Sequence, residues 1–235
     1  MLTVNKTDLV RHHVPVTMAD RFAFRLVGGL STVASVLFSK RYGNRAVVLE
    51  TVAAVPAMVS ATLLHLRCLR RMVDDHGWIR TLMVEAENQR AHLMSFVAIA
   101  RPSGWQRFLI VLAQGAFYNS YFLLHLLSPR TAYRVAGYMS EQAIQGYTRY
   151  LEDLESGVQT DIEAPAFAID YWHLSPQAKI SEMLVSMRAD EAIHRDIQHA
   201  FADALVAGKL LPDLPATDLD AGSSIGLDEK RLDAS

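Results

Sequence analysis

Apolar residues recur three and four positions apart along most of the chain, a spacing that predicts α-helices. Strand-like alternation of apolar and polar residues is missing, and glycine and proline are sparse, with 12 and 8 residues respectively. The pattern therefore predicts an all-α fold without strands. The predicted helices cover residues 19–41, 45–71, 78–100, 105–127, 129–157 and 176–206.

Prolines refine these helix boundaries. The pairs Ser128-Pro129 and Ser175-Pro176 are typical helix starts, because serine caps the first turn and proline needs no amide partner there. Pro56 falls inside the second predicted helix, where it predicts a kink or a break.

The 235 residues predict one helical domain at 19–210, preceded by an arm at 1–18. Residues 211–235 are polar and lack apolar periodicity, which predicts a disordered or partner-bound tail. The first residues show neither a signal-peptide core nor an arginine-rich transit pattern, so we expect a targeting segment to be absent, cryptic or removed.

Residues 19–41 and 105–127 form two long apolar stretches. Polar residues within the second, such as Gln114, Asn119 and His125, would be costly in a membrane-spanning helix. We therefore interpret both as helices that lie in one leaflet of a membrane, with two buried core helices as the alternative.

Composition excludes other classes of function. The net charge is −2, so no basic field favours nucleic acid. The chain has one cysteine, Cys68, which excludes an internal disulfide and a cysteine-rich metal site.

Glu191 and His194 are three residues apart in a predicted helix, so their side chains share one face. Such a pair is half of the carboxylate-bridged di-iron site of helical bundles, although a surface pair has the same spacing. Three further segments supply the context: Leu49-Glu50-Thr51, Glu-Asn-Gln-Arg-Ala-His-Leu at 87–93, and residues 137–147.

Together with Arg-Ala-Asp-Glu-Ala-Ile-His-Arg at 188–195, these segments resemble the signatures of the alternative oxidase family in order and spacing. The resemblance covers most of residues 40–205. It implies a ferritin-like four-helix core with two additional helices, monotopic membrane association, a di-iron centre, ubiquinol as substrate and, usually, a homodimer. The matrix face of the mitochondrial inner membrane is the implied location, with a bacterial cytoplasmic membrane as the alternative.

Two of the six positions that match the family's iron ligands have lost their carboxylates. The retained positions are Glu50, His92, Glu191 and His194, and the altered ones are Gln89 and Ser140. The resemblance also implies that Asn88 and Asp190 support the ligands and that Tyr147 is a redox-active tyrosine. It places Arg45, Leu49 and Ala143 at the quinol pocket, where Gln142 replaces an acid.

Two irons need about four carboxylates for charge balance, which predicts that this chain binds no metal or one zinc or iron ion. On a regular helix Glu87 lies about 200° from Gln89 and Glu141 about 100° from Ser140, so neither replaces the lost carboxylate without a helix bulge.

Three functions remain open. The first is a non-catalytic accessory subunit of a mitochondrial respiratory membrane complex. The second is an active cyanide-insensitive ubiquinol oxidase that reduces dioxygen to water, with two irons and Tyr147 as a catalytic residue. The third is a quinone-binding module without turnover.

Overall fold

The computed structural model describes residues 9–37, 42–101 and 103–206, and their side chains except those of 33–37 and 42–49. This part of the chain forms seven helices, which confirms the all-α prediction. They are α1 Met18–Leu37, α2 Tyr42–Arg71, α3 Trp78–Ala100, α4 Gly104–Leu127, α5 Pro129–Glu155, α6 Ala166–Trp172 and α7 Ile180–Val206. Within the described ranges the only strand-like pairing is an isolated bridge between Glu163 and Lys179.

The helices α2, α3, α5 and α7 form a four-helix core. The main contacts run between α5 and α7 and between α2 and α3, while α1 packs on α5 and α4 packs on α2 and α5. Gly137 lets α5 approach α7 closely, because a Cβ atom there would lie 2.6 Å from the His199 ring. The bundle with two additional helices therefore agrees with the predicted architecture.

The helices differ from the sequence prediction in one boundary, in one additional helix and at Pro56. The last helix begins at Ile180, not at Pro176, because Ser175 and Ala178 form a turn in which the Ala178 amide donates to the Ser175 carbonyl. The short helix α6 was missed, since seven residues are too few to show a period. Pro56 causes no break, because α2 continues through it.

A buried polar layer separates two apolar clusters at the ends of the four-helix core. Phe96, Met183 and Met187 belong to one cluster, and Trp78 and Phe201 belong to the other. Between these residues, α3 and α7 carry buried polar side chains at mid-length. The fold therefore places a polar site inside the bundle.

Most of helix α4 is exposed although its sequence is apolar. Only Tyr121 and His125 of this helix are buried. Among the described residues, two segments are long and apolar enough to cross a membrane by length and composition alone, Glu50–Arg71 and Gly104–Leu127. In their most apolar 18-residue stretches, 50% and 11% of the residues are buried. The exposed face includes Trp105, Phe108, Val111, Leu112, Leu123, Leu126 and Leu127. Such a face is compatible with association with a membrane surface.

Candidate metal centre

Glu50 of α2, His92 of α3 and Glu191 of α7 meet in the polar layer. Each offers one ligand atom, and these atoms all lie within 4.8 Å of one another. All three side chains are almost fully buried. Helix packing thus brings together three of the four retained ligand positions, and their role as metal ligands remains a prediction.

The imidazole of His92 lies among three carboxylates. Its Nδ1 atom is 3.6 Å from Glu50 Oε2 and 3.5 Å from Glu191 Oε1, and its Nε2 atom is 3.3 Å from Asp190 Oδ2. Burial alone would lower the pKa of His92, but the carboxylates outweigh it and raise that pKa well above its ordinary value. Without a metal, a positively charged His92 therefore balances part of the negative charge.

Gln89 and His194 complete this group, which we call the central cluster: Glu50, Gln89, His92, Glu191 and His194. The amide Nε2 of Gln89 donates to Glu191 Oε1 at 2.7 Å and lies 3.1 Å from His194 Nδ1. The Nδ1 atom of His194 lies 3.8 Å from Glu191 Oε2. Gln89 therefore replaces a carboxylate with a neutral hydrogen-bond donor.

Asp190 contacts the Nε2 atom of His92, whereas Glu50 and Glu191 lie near the Nδ1 atom. Its Oδ2 atom accepts hydrogen bonds of 2.8 Å from Asn88 Nδ2 and from Trp172 Nε1. Burial raises the pKa of Asp190, but the hydrogen bond to His92, the charge of that ring and the hydrogen bond from Asn88 keep it below its ordinary value. Trp172 was missed in the sequence because α6 itself was missed, whereas Asn88 and Asp190 occupy the supporting positions that the resemblance implied.

The phenol of Tyr147 donates a hydrogen bond to Glu50 and lies 3.5 Å from Nδ1 of His92. Burial and the nearby Glu50 and Glu191 carboxylates raise its pKa well above the ordinary value. Tyr147 is therefore a protonated donor at the wall of the central cluster.

Glu85 is a buried carboxyl group that the sequence prediction overlooked. Its two oxygens accept hydrogen bonds of 2.8 and 2.9 Å from Gln198 Nε2. Burial raises the pKa of Glu85 to about 7, an effect that His194 and Gln198 only partly offset. Its position one helical turn before Gln89, on the same face of α3, was the available signal.

The carboxylates nearest in sequence to the altered positions, Glu87 before Gln89 and Glu141 after Ser140, point elsewhere. Glu87 pairs with exposed Arg90 at 2.6 Å. Glu141 is buried, yet its Oε1 atom accepts hydrogen bonds from the His13 amide at 2.9 Å and from His199 at 3.2 Å. Both observations agree with the predicted helix angles, so neither side chain replaces the lost ligands in this structure.

Glu141 belongs to a second polar group, which we call the arm cluster: Asp20, Arg134, Glu141 and His199, which are buried, and His12, which is exposed. The Nε atom of Arg134 donates to Asp20 at 3.0 Å, and its NH1 atom lies 3.0 Å from Nδ1 of His199. Nδ1 of His12 lies 2.5 Å from Glu141 Oε2. The arm cluster thus joins α1 and the preceding arm to α5 and α7.

The structure describes the side chains of only some of the predicted quinol-pocket residues. Arg45 and Leu49 lie on α2, but their side chains are outside the described part of the structure. Ala143 is half-buried and packs against the apolar cluster of Phe96, and Gln142 accepts a 3.2 Å hydrogen bond from Ser31. The quinol pocket therefore remains a prediction.

The buried donors fit one metal ion better than two. Glu50 Oε2 has no hydrogen-bond partner among the described residues, so a ligand-quality oxygen is free to bind a cation. At the positions where a second ion needs further carboxylates, the chain offers the Gln89 amide and the buried Ser140 hydroxyl, which are weak ligands for trivalent iron. The residues present do not fit the di-iron group.

Four helices that enclose carboxylates and histidines define a bundle of the class that holds metal ions in its core. A family model described as alternative oxidase matches residues 3–203. The chain belongs to the alternative oxidase family.

Plant relatives agree with this assignment. The chain is 49% identical over 209 residues to "Ubiquinol oxidase, mitochondrial" of Mangifera indica, covering 89% of this chain and 66% of that protein. It is 50% identical to "Ubiquinol oxidase 1a, mitochondrial" of Oryza sativa subsp. japonica, with coverage of 89% and 63%. The chain spans just under two thirds of the length of these relatives, and their mitochondrial names support the predicted mitochondrial localisation.

Proposed function

We propose that this chain is a membrane-docked member of the family that binds at most one divalent metal ion and does not reduce dioxygen. The observation that carries the proposal is the 2.7 Å hydrogen bond from the Gln89 amide to Glu191. A glutamate at position 89 would place a second negative oxygen there, ready for a second metal ion. The amide instead donates to the remaining carboxylate and stabilises the cluster without metal.

The candidate ligands for a single ion are Glu50, His92 and Glu191, whose atoms already lie within 4.8 Å of one another. Two carboxylates and an imidazole suit zinc or ferrous iron. His194 lies beside Glu191 and can supply a fourth ligand after a small rearrangement, since its Nδ1 atom is 3.8 Å from that carboxylate. A bound cation would release the proton that charges His92.

We infer that the exposed face of α4 docks on a membrane, and that the protein serves as an accessory subunit of a respiratory membrane complex. Only 11% of the residues in the most apolar 18-residue stretch of α4 are buried, and monomeric soluble proteins rarely expose an apolar face of this size to water. The inner mitochondrial membrane is the proposed site, because the relatives are mitochondrial ubiquinol oxidases. Binding of quinol near Arg45, Leu49 and Ala143, and a homodimer, are parts of the same proposal.

Metal content per chain is the decisive measurement, on protein purified without chelators and again after anaerobic loading with ferrous iron. We expect zero or one metal ion per chain. A reproducible content of two irons would overturn the ligand argument. Native gels of solubilised membranes test the accessory role separately, because a free homodimer alone would contradict it.

An active ubiquinol oxidase is the second candidate. It is favoured by identities near one half to proteins named ubiquinol oxidase and by the contact of Tyr147 with Glu50. Quinol-dependent, cyanide-insensitive oxygen uptake by the purified protein, lost in Tyr147→Phe, would establish it. Quinone binding that is lost in Arg45→Ala, without any oxygen uptake, would instead support a quinone-binding module.

A further inference from the structure

The arm segment, residues 9–17, precedes α1 and lies across α5 and α7. Exposure alternates along it: His13 and Pro15 are partly buried, whereas Val14 and Val16 are exposed. Such alternation is typical of an extended chain with one face on a surface. The arm segment therefore presents His13 to the bundle.

Backbone hydrogen bonds fasten the arm segment to the bundle. The amide of His13 donates to Glu141 Oε1 at 2.9 Å, and its carbonyl accepts from the Tyr138 phenol at 3.1 Å. The carbonyl of Arg11 accepts from NH1 of Arg195 at 3.1 Å. Because backbone groups do not titrate near neutral pH, any response of the arm segment to pH must come from the side chains around it.

The ring of His13 is stacked on the buried ring of His199, with centroids 4.5 Å apart and planes 23° apart. NH1 of Arg134 lies 3.0 Å from Nδ1 of His199. A guanidinium group only donates, so this nitrogen is the unprotonated acceptor and the His199 ring is neutral. A proton on it would replace the hydrogen bond with repulsion between two cations.

The docked position of His13 also favours a neutral ring. Its Nε2 atom is buried and has no hydrogen-bond partner among the described residues. In a charged imidazole both nitrogens carry a proton, and the proton on this one would have no acceptor. Burial, Arg134 and His199 lower the pKa of His13, an effect that Asp203 and Asp20 only partly offset.

The other charged groups at the arm segment are Glu141 and His12. Burial raises the pKa of Glu141, but hydrogen bonds with His199, the His13 amide and His12 keep it below its ordinary value, so this carboxyl group stays an anion. The side chain of His12 lies 2.5 Å from Glu141 and is 43% exposed. A charge on His12 would strengthen docking, although water weakens an exposed pair of this kind.

His199 has no room to move away from a charged neighbour. Its ring contacts α5 at Gly137, where a Cβ atom would lie 2.6 Å away, and it is held by Arg134 and by Glu141 at 3.2 Å. The arm segment is held by fewer contacts. Repulsion between the stacked rings therefore displaces the arm segment and leaves His199 in place.

We propose that the arm segment is an acid-sensitive latch, which docks on α5 and α7 while His13 and His199 are neutral and detaches when this stacked pair takes up a proton. Detachment takes His12 and the His13 amide away from Glu141, the carboxylate next to the altered ligand position Ser140. The latch thus links proton concentration to the cover of α5 beside the central cluster, whether or not that cluster holds a metal ion.

The direction of the pH effect follows from His13. Its pKa is 6.5 ordinarily and lower when the arm segment is docked, so the docked form binds fewer protons than the released form. Docking is therefore strongest above about pH 6.5 and weakens as pH falls, by up to about tenfold for each pH unit.

Hydrogen–deuterium exchange of the full chain measures docking at about pH 7.5 and about pH 5.5, with protection corrected for the intrinsic exchange rate at each pH. We expect the protection of peptide 9–17 in the wild type to be about tenfold lower at the lower pH. His13→Phe keeps an aromatic ring for the stack but cannot take up a proton, so it should lose most of this pH dependence. His65→Gln, which removes an exposed histidine of α2, should behave as the wild type.

A third variant separates the two histidines of the arm segment. His12→Gln removes the charge that opposes release and should enlarge the fall in protection. A fall that persists in His13→Phe but disappears in His12→Gln would make His12 the sensor and overturn the proposal, as would equal protection at both pH values in the wild type. Peptides of α5 and α7 should stay protected throughout, because a simultaneous loss there would mean acid unfolding of the bundle instead of release of the arm segment.

Discussion

The central cluster and the arm cluster lie on neighbouring turns of α7, but their hydrogen bonding differs. In the arm cluster both oxygens of Asp20 and both of Glu141 accept hydrogen bonds or face an imidazole. In the central cluster Glu50 Oε2 faces the His92 imidazole only at 3.6 Å, and neither this oxygen nor Gln89 Oε1 has a hydrogen-bond partner among the described residues. A saturated cluster stabilises the fold by itself, whereas an unsaturated one retains capacity for a cation.

Removal of the positive charge from the arm cluster should have the largest effect. Arg134→Met leaves Asp20 buried without its ion pair, and we expect the free energy of unfolding to fall by about 3–5 kcal/mol. Urea unfolding measures this change. Arg149→Met on the same helix is the control, because Arg149 is exposed and its loss should change stability by less than about 0.5 kcal/mol. Similar losses in both variants would contradict the importance of the arm cluster.

The buried carboxyl group of Glu85, beside the central cluster, should make the free energy of unfolding depend on pH. Its pKa is about 7 in the folded chain and 4.5 ordinarily, so between these values the folded state holds a proton that the unfolded state has lost. This group therefore lowers the free energy of unfolding as pH rises through that window, by about 3 kcal/mol in total. Glu85→Gln should remove this dependence, and its new amide can donate to Gln198 Oε1, which now has no partner.

Urea unfolding at about pH 5 and about pH 8 provides the measurement for Glu85. The wild type should lose more stability between the two pH values than Glu85→Gln. Glu87→Gln on the same helix is the control, because that carboxylate is partly exposed and pairs with Arg90. If the pH dependence is the same in Glu85→Gln and in the wild type, Glu85 is not the titrating group.

Gln89→Glu should convert the central cluster into a site that requires metal. In the wild type the Gln89 amide donates to Glu191 at 2.7 Å, and in the variant a second carboxylate takes the place of this donor. The metal-free variant should therefore be about 2 kcal/mol less stable than the wild type. Zinc or ferrous iron should restore this loss, as followed by unfolding with and without a chelator. Gln145→Glu, at an exposed position of α5, should show neither effect. A loss that metal does not reverse would indicate simple repulsion.

The two clusters also differ in how much the sequence revealed. Glu191, His194 and His92 were predictable because helical spacing places them on inward faces and the family motifs align them. The arm cluster was not predicted, since Asp20, Arg134 and His199 lie far apart in sequence and carry no motif. Trp172 was missed because a seven-residue helix has no clear period. Glu85 was missed because it was treated as one more charge on a polar stretch of α3, although its position one turn before Gln89 places it on the inward face.

The smallest expected change in stability comes from Asp203, one of the two carboxylates that pair with Arg134; the other is Asp20. Asp203 pairs with NH2 of this arginine, yet its side chain is 62% exposed, whereas that of Asp20 is 2% exposed. Water replaces most of what an exposed carboxylate contributes, so Asp203→Asn should lower the free energy of unfolding by about 0.5 kcal/mol or less. Asp20→Asn leaves Arg134 buried without its main counter-charge and should cost several times more. If urea unfolding shows comparable losses for Asp203→Asn and Asp20→Asn, burial does not determine the strength of these ion pairs. The arm cluster could then not be treated as a cluster whose hydrogen bonds stabilise the fold.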